Sequence, residues 1–219
     1  MESRRLLADI EAHLARELGD REAARSLAEA LHEDVLSWRA PETDPARIDT
    51  IMAFTFGNRM LPNGNRAPGP VNEALADVAV RLHRQRAARI YAQWEVAEAI
   101  GSRVPQDQVT AIYPGRDERA EPVYLSTSGV VSTVVAMQAD RRSFGVVGVV
   151  GFADHLWRCV TTVRQFGLDA YAPSGYAMPG EYDPQSGQPW CRNRLAYLMH
   201  DIMIRANERR GRLMEQSSC

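Results

Sequence analysis

The run Phe144-Gly-Val-Val-Gly-Val-Val-Gly-Phe-Ala153, ending in Asp154-His155, constrains the fold more than any other part of the chain. An uninterrupted apolar stretch of valine, glycine and phenylalanine reads as a strand buried on both faces, the kind found in parallel α/β sheets. Leu156-Trp157-Arg158 and an amphipathic stretch to Gly167 follow at once and read as a helix. Open α/β sheets bind ligands in the crevice outside the carboxyl ends of their strands. His155 and Arg158 therefore stand where chemistry is usually done. Both have plainer uses, because a histidine at a strand-to-helix turn can hydrogen-bond a loop carbonyl and an arginine there can pair with a surface carboxylate.

The rest of the chain alternates in the way this strand requires. Leu6, Leu7, Ile10, Leu14 and Leu18, then Leu27, Leu31, Val35 and Leu36, repeat at helical spacing on either side of Gly19-Asp20, which predicts two amino-terminal helices. Pro41 and Pro45 close this part, so a helical segment is expected over 1–46 and an α/β domain over 47–219. Within that domain strands are predicted at 48–56, 88–94, 109–113, from Phe144 and at 168–171. Helices are predicted at 70–87, 95–102, 126–140 and from Trp157. Pro173 to Pro189 reads as a long loop, and Leu195, Leu198, Met199, Ile202 and Met203 mark a closing helix that should pack on the body. Strands separated by helical patterns of this length imply right-handed βαβ units. The fold class expected is α/β: a Rossmann-like, doubly wound, mostly parallel sheet of about five strands, with two amino-terminal helices and a carboxy-terminal helix.

If that sheet forms, four segments converge past strand ends: Gly57-Asn58-Arg59, Gln93-Trp94-Glu95, Tyr113 through Ser128, and Asp154-His155. Gly57 lets a backbone approach a ligand closely, and Asn58 can donate and accept, although the pair also suits an ordinary turn. The connection from Asn58 to Pro70 is long for a strand-to-helix link, as lids and binding loops are. Glu95 at a helix start can simply complement the dipole. Beside Trp94 at a strand end it is also a candidate general base, or an anchor for a ligand amine or hydroxyl. Ser126-Thr127-Ser128 at a helix opening can cap that helix or bind a carboxylate or phosphate. His13, His32, His83 and His200 fall inside helices and read as packing or surface residues.

Composition narrows the function. The chain has 219 residues, net charge −2 and no lysine, all 26 basic residues being arginine, so single arginines carry less information than usual. That charge gives no reason to expect nucleic acid or an anionic membrane as partner. Cys159, Cys191 and Cys219 are odd in number and lack C-x-x-C spacing, so neither a disulfide framework nor a metal site is expected. With no signal-peptide pattern and no long apolar span, a cytoplasmic protein is expected. The dinucleotide, Walker, nucleophile-elbow and H-E-x-x-H signatures are absent.

The order of motifs resembles the YdcF/SanA/ElyC-like domain family over about residues 48–173. It is carried by Ala53-Phe-Thr-Phe-Gly57-Asn58, Ile90-Tyr-Ala-Gln93-Trp94-Glu95, Ser126-Thr127-Ser128 and Phe152-Ala-Asp154-His155-Leu-Trp-Arg158. The resemblance implies a Rossmann-like fold and a small polar or nucleotide-like ligand, with S-adenosylmethionine a candidate cofactor. The expected function is thus a small-molecule enzyme of a specialised biosynthetic pathway, with His155 and Glu95 catalytic and Gly57, Asn58, Gln93, Trp94, Ser126, Thr127, Ser128 and Arg158 holding ligand or cofactor. The alternative is a non-catalytic ligand-binding or regulatory module on the same fold. Either could act as a homo-oligomer.

Overall fold

The computed structural model describes residues 2–115 and 125–216; the middle of the Tyr113 to Ser128 segment and Cys219 lie outside them. The chain divides into two compact units, one of Met1–Trp38 with Leu198–Cys219 and one of Arg39–Tyr197. The body of the closing helix thus groups with the amino-terminal helices, whereas the sequence pattern assigned it to the α/β domain.

The larger unit is built on six parallel strands: β1 (Glu42–Thr43), β2 (Thr50–Ala53), β5 (Arg89–Gln93), β6 (Val109–Ile112), β7 (Val146–Val150) and β8 (Asp169–Pro173), in the order β1-β8-β7-β2-β5-β6. The expectation of a doubly wound parallel sheet holds, with one more strand than foreseen. That strand is the two-residue edge β1, which pairs with the end of β8 through Glu42↔Ala172 and Thr43↔Pro173; it is too short to leave a periodic signal. The connection after β2 contains a small antiparallel hairpin, β3 (Arg59–Met60) with β4 (Arg66–Ala67).

Three neighbouring strands show why the sheet is double-faced. Ile51 is aligned with Ile90 and Gly148, and Met52 with Tyr91 and Val149. Because side chains alternate along a strand, Ile51 and Ile90 enter a core with Leu75, Val96 and Phe152. Met52, Tyr91 and Val149 enter another with Val131, Phe144 and Val160. Helices α3 (Pro70–Arg86) and α4 (Trp94–Ile100) supply the first layer; α5 (Thr127–Ala136) and α6 (Leu156–Gln165) supply the second. From β2 the chain winds outward through β5 and β6 on one side and through β7 and β8 on the other. The reversal falls between β2 and β7, which is where open α/β sheets leave a crevice.

The smaller unit contains α1 (Glu2–Leu18), α2 (Arg21–Ala30) and the part of α7 (Arg194–Gln216) from Leu198 onward. Asp20 caps α2 by accepting from the backbone N–H groups of Glu22 and Ala23. Along α7 the buried row is Tyr197, Asp201 and Arg205, while Leu195, Met199 and Met203 are exposed. Of the apolar stripe expected to pack, Leu198 and Ile202 are half-buried, and the fully buried positions of the helix are Tyr197, Asp201 and Arg205. An Asp201–Arg205 ion pair at 2.6 Å, with Arg205 over the Trp38 ring at 4.1 Å and bonded to the Ser37 carbonyl, makes that polar row buriable.

Candidate functional site

The loop leaving β2 is fixed from three sides. Phe54 N–H donates to the Val150 carbonyl at 2.9 Å, which extends the pairing with β7 by one residue. The Gln93 side-chain oxygen accepts from Thr55 N–H at 2.9 Å. Asn72, completely buried in the first turn of α3, accepts from Thr55 Oγ1 and Phe56 N–H and donates to the Gly57 and Pro68 carbonyls. Gly57 follows with φ +72°, and a Cβ there would lie 2.5 Å from Ser186 Oγ. Glycine is thus required both for its backbone angle and for the close approach of a second loop.

That geometry delivers Asn58 to Glu95. The Asn58 amide lies 3.4 Å from Glu95 Oε1, both residues are about 5 % exposed or less, and Glu95 Oε2 is buried with no hydrogen-bond partner among the described residues. Burial pushes the Glu95 pKa up to about 7. It outweighs the opposing effects of the residue's own backbone N–H, of the Asn58 amide, of the nearby Thr55 hydroxyl and of the charge of Arg66. The carboxyl is therefore poised to gain or lose a proton near neutral pH.

A second polar group forms past β7. His155, 5 % exposed, places Nε2 3.5 Å from Thr127 Oγ1. Arg158, one turn along α6, donates to the same hydroxyl at 3.1 Å and to the Tyr197 hydroxyl at 3.4 Å. The ring of Phe56, stacked on Phe152 at 3.8 Å, stands 6.4 Å from the His155 ring and 4.7 Å from Tyr197. An aromatic wall from the β2 loop thus adjoins the histidine.

Residues 174–193 cross this edge as a strap. Tyr182 donates to Asp154 at 2.9 Å, Asp183 takes both prongs of Arg59 at 2.8 and 3.0 Å, and Gly187 N–H donates to the Asn58 carbonyl. Arg194 meets Asp154 from the start of α7. The Tyr182 hydroxyl is held protonated by burial and by Asp154. Arg59 in turn holds the Asp183 carboxyl below its ordinary range. Cys191, also in the strap, has its thiol pushed up to about 12 by burial, so it is a packing residue and not a ready thiolate.

The expected residues thus divide by what they touch. Asn58 and Glu95 meet directly, and so do Thr127, His155 and Arg158. Gln93 is engaged in holding the β2 loop. Ser126 caps α5 through Gly129 N–H at 3.1 Å. Trp94 is half-buried as the first residue of α4 and not the last of a strand, and among the described residues the side chains of Trp94 and Ser128 make no hydrogen bond to the group. Sequence reasoning missed Asn72, Tyr197 and the strap residues Tyr182, Asp183 and Ser186. An asparagine directly after Gly-Pro-Val at a helix start was the one available sign of Asn72. Among the described residues no cluster of His, Cys, Asp and Glu could hold a metal ion, and no helix is long and apolar enough to cross a membrane. Compared with family models, curated proteins and solved structures, the chain matches none.

Proposed function

We propose that the chain is an enzyme acting on a small polar metabolite, with its ligand in the crevice between the ends of β2 and β7 and with Glu95 and His155 as its proton-transferring groups. The observation that carries this reading is Glu95. A buried carboxyl with one oxygen lacking a partner and a pKa near 7 is what a general acid or base requires, and most buried polar atoms are instead satisfied. Asn58 steadies Oε1 and leaves Oε2 for a substrate proton.

S-adenosylmethionine, which the family resemblance implies, is compatible with the donor set. The open Glu95 oxygen suits an ammonium group or ribose hydroxyls, and Arg158 with Thr127 suits a carboxylate. Bound there, it would supply an activated methyl group. Asn58, Glu95, Thr127 and His155 are each at most 8 % exposed, so entry requires a covering segment to move. The strap, tied by Asp183–Arg59 and Tyr182–Asp154, is the segment we assign to this.

The test is thermal unfolding with and without S-adenosylmethionine. A ligand at about 100 times its dissociation constant adds about 2.7 kcal/mol. The wild type should show that shift, R158A should lose most of it, and H155Q should keep it. A shift untouched by R158A would overturn the crevice as the binding place, and no shift in the wild type would remove this cofactor. The second reading, a non-catalytic binding module, is favoured by the hydrogen bonds of His155 and Glu95 going to separate partners, Thr127 and Asn58. It predicts that H155Q weakens binding by about 0.5–1.5 kcal/mol, whereas an acid–base histidine leaves affinity in place and lowers turnover about 10²- to 10⁴-fold.

A further inference from the structure

We infer that the groove between α3 and residues 177–184 is a second ligand site, separate from the crevice, for a small molecule with an apolar body and a phosphate-like anionic group. The groove encloses about 940 Å³, within the range of about 300–1,000 Å³ typical of small-molecule sites. One wall is a single face of α3. Val71, Ala74, Val78, Arg81 and Arg84 follow one another at three- and four-residue spacing and line it, with Asp77 beside Val78. Apolar groups thus occupy the amino-terminal half of that face and arginines its carboxy-terminal end. Met178 and Tyr182 add apolar surface from the opposite wall.

The charges of the groove do not cancel locally. Asp183 is committed to Arg59, and Asp77 to Arg103. Arg81 lies over the Tyr176 ring, 5.7 Å from its centroid, and pairs with no carboxylate among the described residues. Among the same residues the Arg84 side chain makes neither an ion pair nor a hydrogen bond, and Glu181 on the far wall pairs with neither arginine. An arginine in a helix's last turn, as Arg84 is in α3, ordinarily complements the dipole from open surface. Here Arg81 and Arg84 end a concave wall that is apolar except for Asp77, and apolar surface with a few convergent polar groups is how ligand sites are built. A guanidinium fork matches two phosphate oxygens at once, and the aromatic contact holds one fork ready before a ligand arrives.

The probe is 1-naphthyl phosphate, followed by calorimetry at constant ionic strength, with inorganic phosphate as the headgroup alone. The wild type should bind the naphthyl compound at least 10-fold more tightly than phosphate. R81A/R84A should weaken it about 10- to 100-fold, two charged hydrogen-bonding groups being removed. Both side chains are exposed, and R81K/R84K, which keeps the charge without the fork, should recover part of the loss and exclude misfolding as the cause. E95Q should bind as the wild type does. No binding by the wild type, equal binding by R81A/R84A, or loss of binding in E95Q would each overturn the separate site. Tighter binding of a polyglutamate peptide than of the naphthyl compound would overturn its assignment to a small molecule.

Discussion

Two buried carboxylates, one in each unit, show how the same burial can serve opposite ends. Asp201 is completely buried yet stands 2.6 Å from Arg205, whose guanidinium is further engaged by Trp38 and the Ser37 carbonyl. Glu95 is nearly as buried and has an amide for company but no facing cation close enough to offset desolvation. A compensated charge belongs to the architecture, because removing either partner strands the other. An uncompensated one is a standing cost to the fold, of the kind retained where function needs it.

Breaking the compensated pair should give the largest effect. D201N keeps the shape and leaves Arg205 buried without its counter-charge, which should cost about 3–5 kcal/mol, read from the shift in urea midpoint. A loss below about 1 kcal/mol would show that Trp38 and the Ser37 carbonyl suffice and that the contrast drawn between the two carboxylates fails.

Removing the uncompensated one should do the reverse. Because the folded-state pKa of Glu95 is raised from its ordinary 4.5 to about 7, the native state holds this proton more tightly than the unfolded chain between those values. The group's stability is therefore intact at low pH and is lost as pH rises through about 7, leaving a penalty of about 3 kcal/mol above it. E95Q should thus be more stable than wild type by up to that amount at pH 8.5, with the advantage gone near pH 4.5. A difference that does not change with pH would mean that the carboxyl is solvated or paired in solution.

The smallest effect sharpens the division within one turn of α5. S126A removes a helix cap and should cost about 1 kcal/mol, without altering the shift produced by S-adenosylmethionine. A changed ligand response would move Ser126 back among the binding residues beside Thr127.

What could be read in the sequence was whatever repeats or runs. The apolar stretch at Phe144 announced β7, and Pro70 announced the first residue of α3. Since parallel strands put all their carboxyl ends on one edge, knowing the strands also placed Asn58, Glu95 and His155 past the ends of β2, β5 and β7. What could not be read was set by contacts between distant segments. Gln93 and Asn72 are committed to the β2 loop by hydrogen bonds 38 and 16 residues away along the chain. The strap lacks any period, and its place depends on single bonds such as Asp183–Arg59, 124 residues apart. The closing helix was legible only in part for a related reason: Leu198 and Ile202 of its apolar stripe are half-buried, but an ion pair lets Asp201 and Arg205 be buried more completely.

The register that puts Thr50 of β2 opposite Val147 of β7 also governs how the chain is made. These partners are 97 residues apart, so at about 5–20 residues per second a ribosome needs about 5–20 s between delivering one and the other. For that interval the central strand of the sheet has an apolar, unpaired flank of the kind that templates aggregation. Expression of this protein should accordingly be limited by the rate at which residues 89–150 follow β2 out of the ribosome, and slower translation of that stretch should lower the soluble yield without changing the stability of the finished molecule.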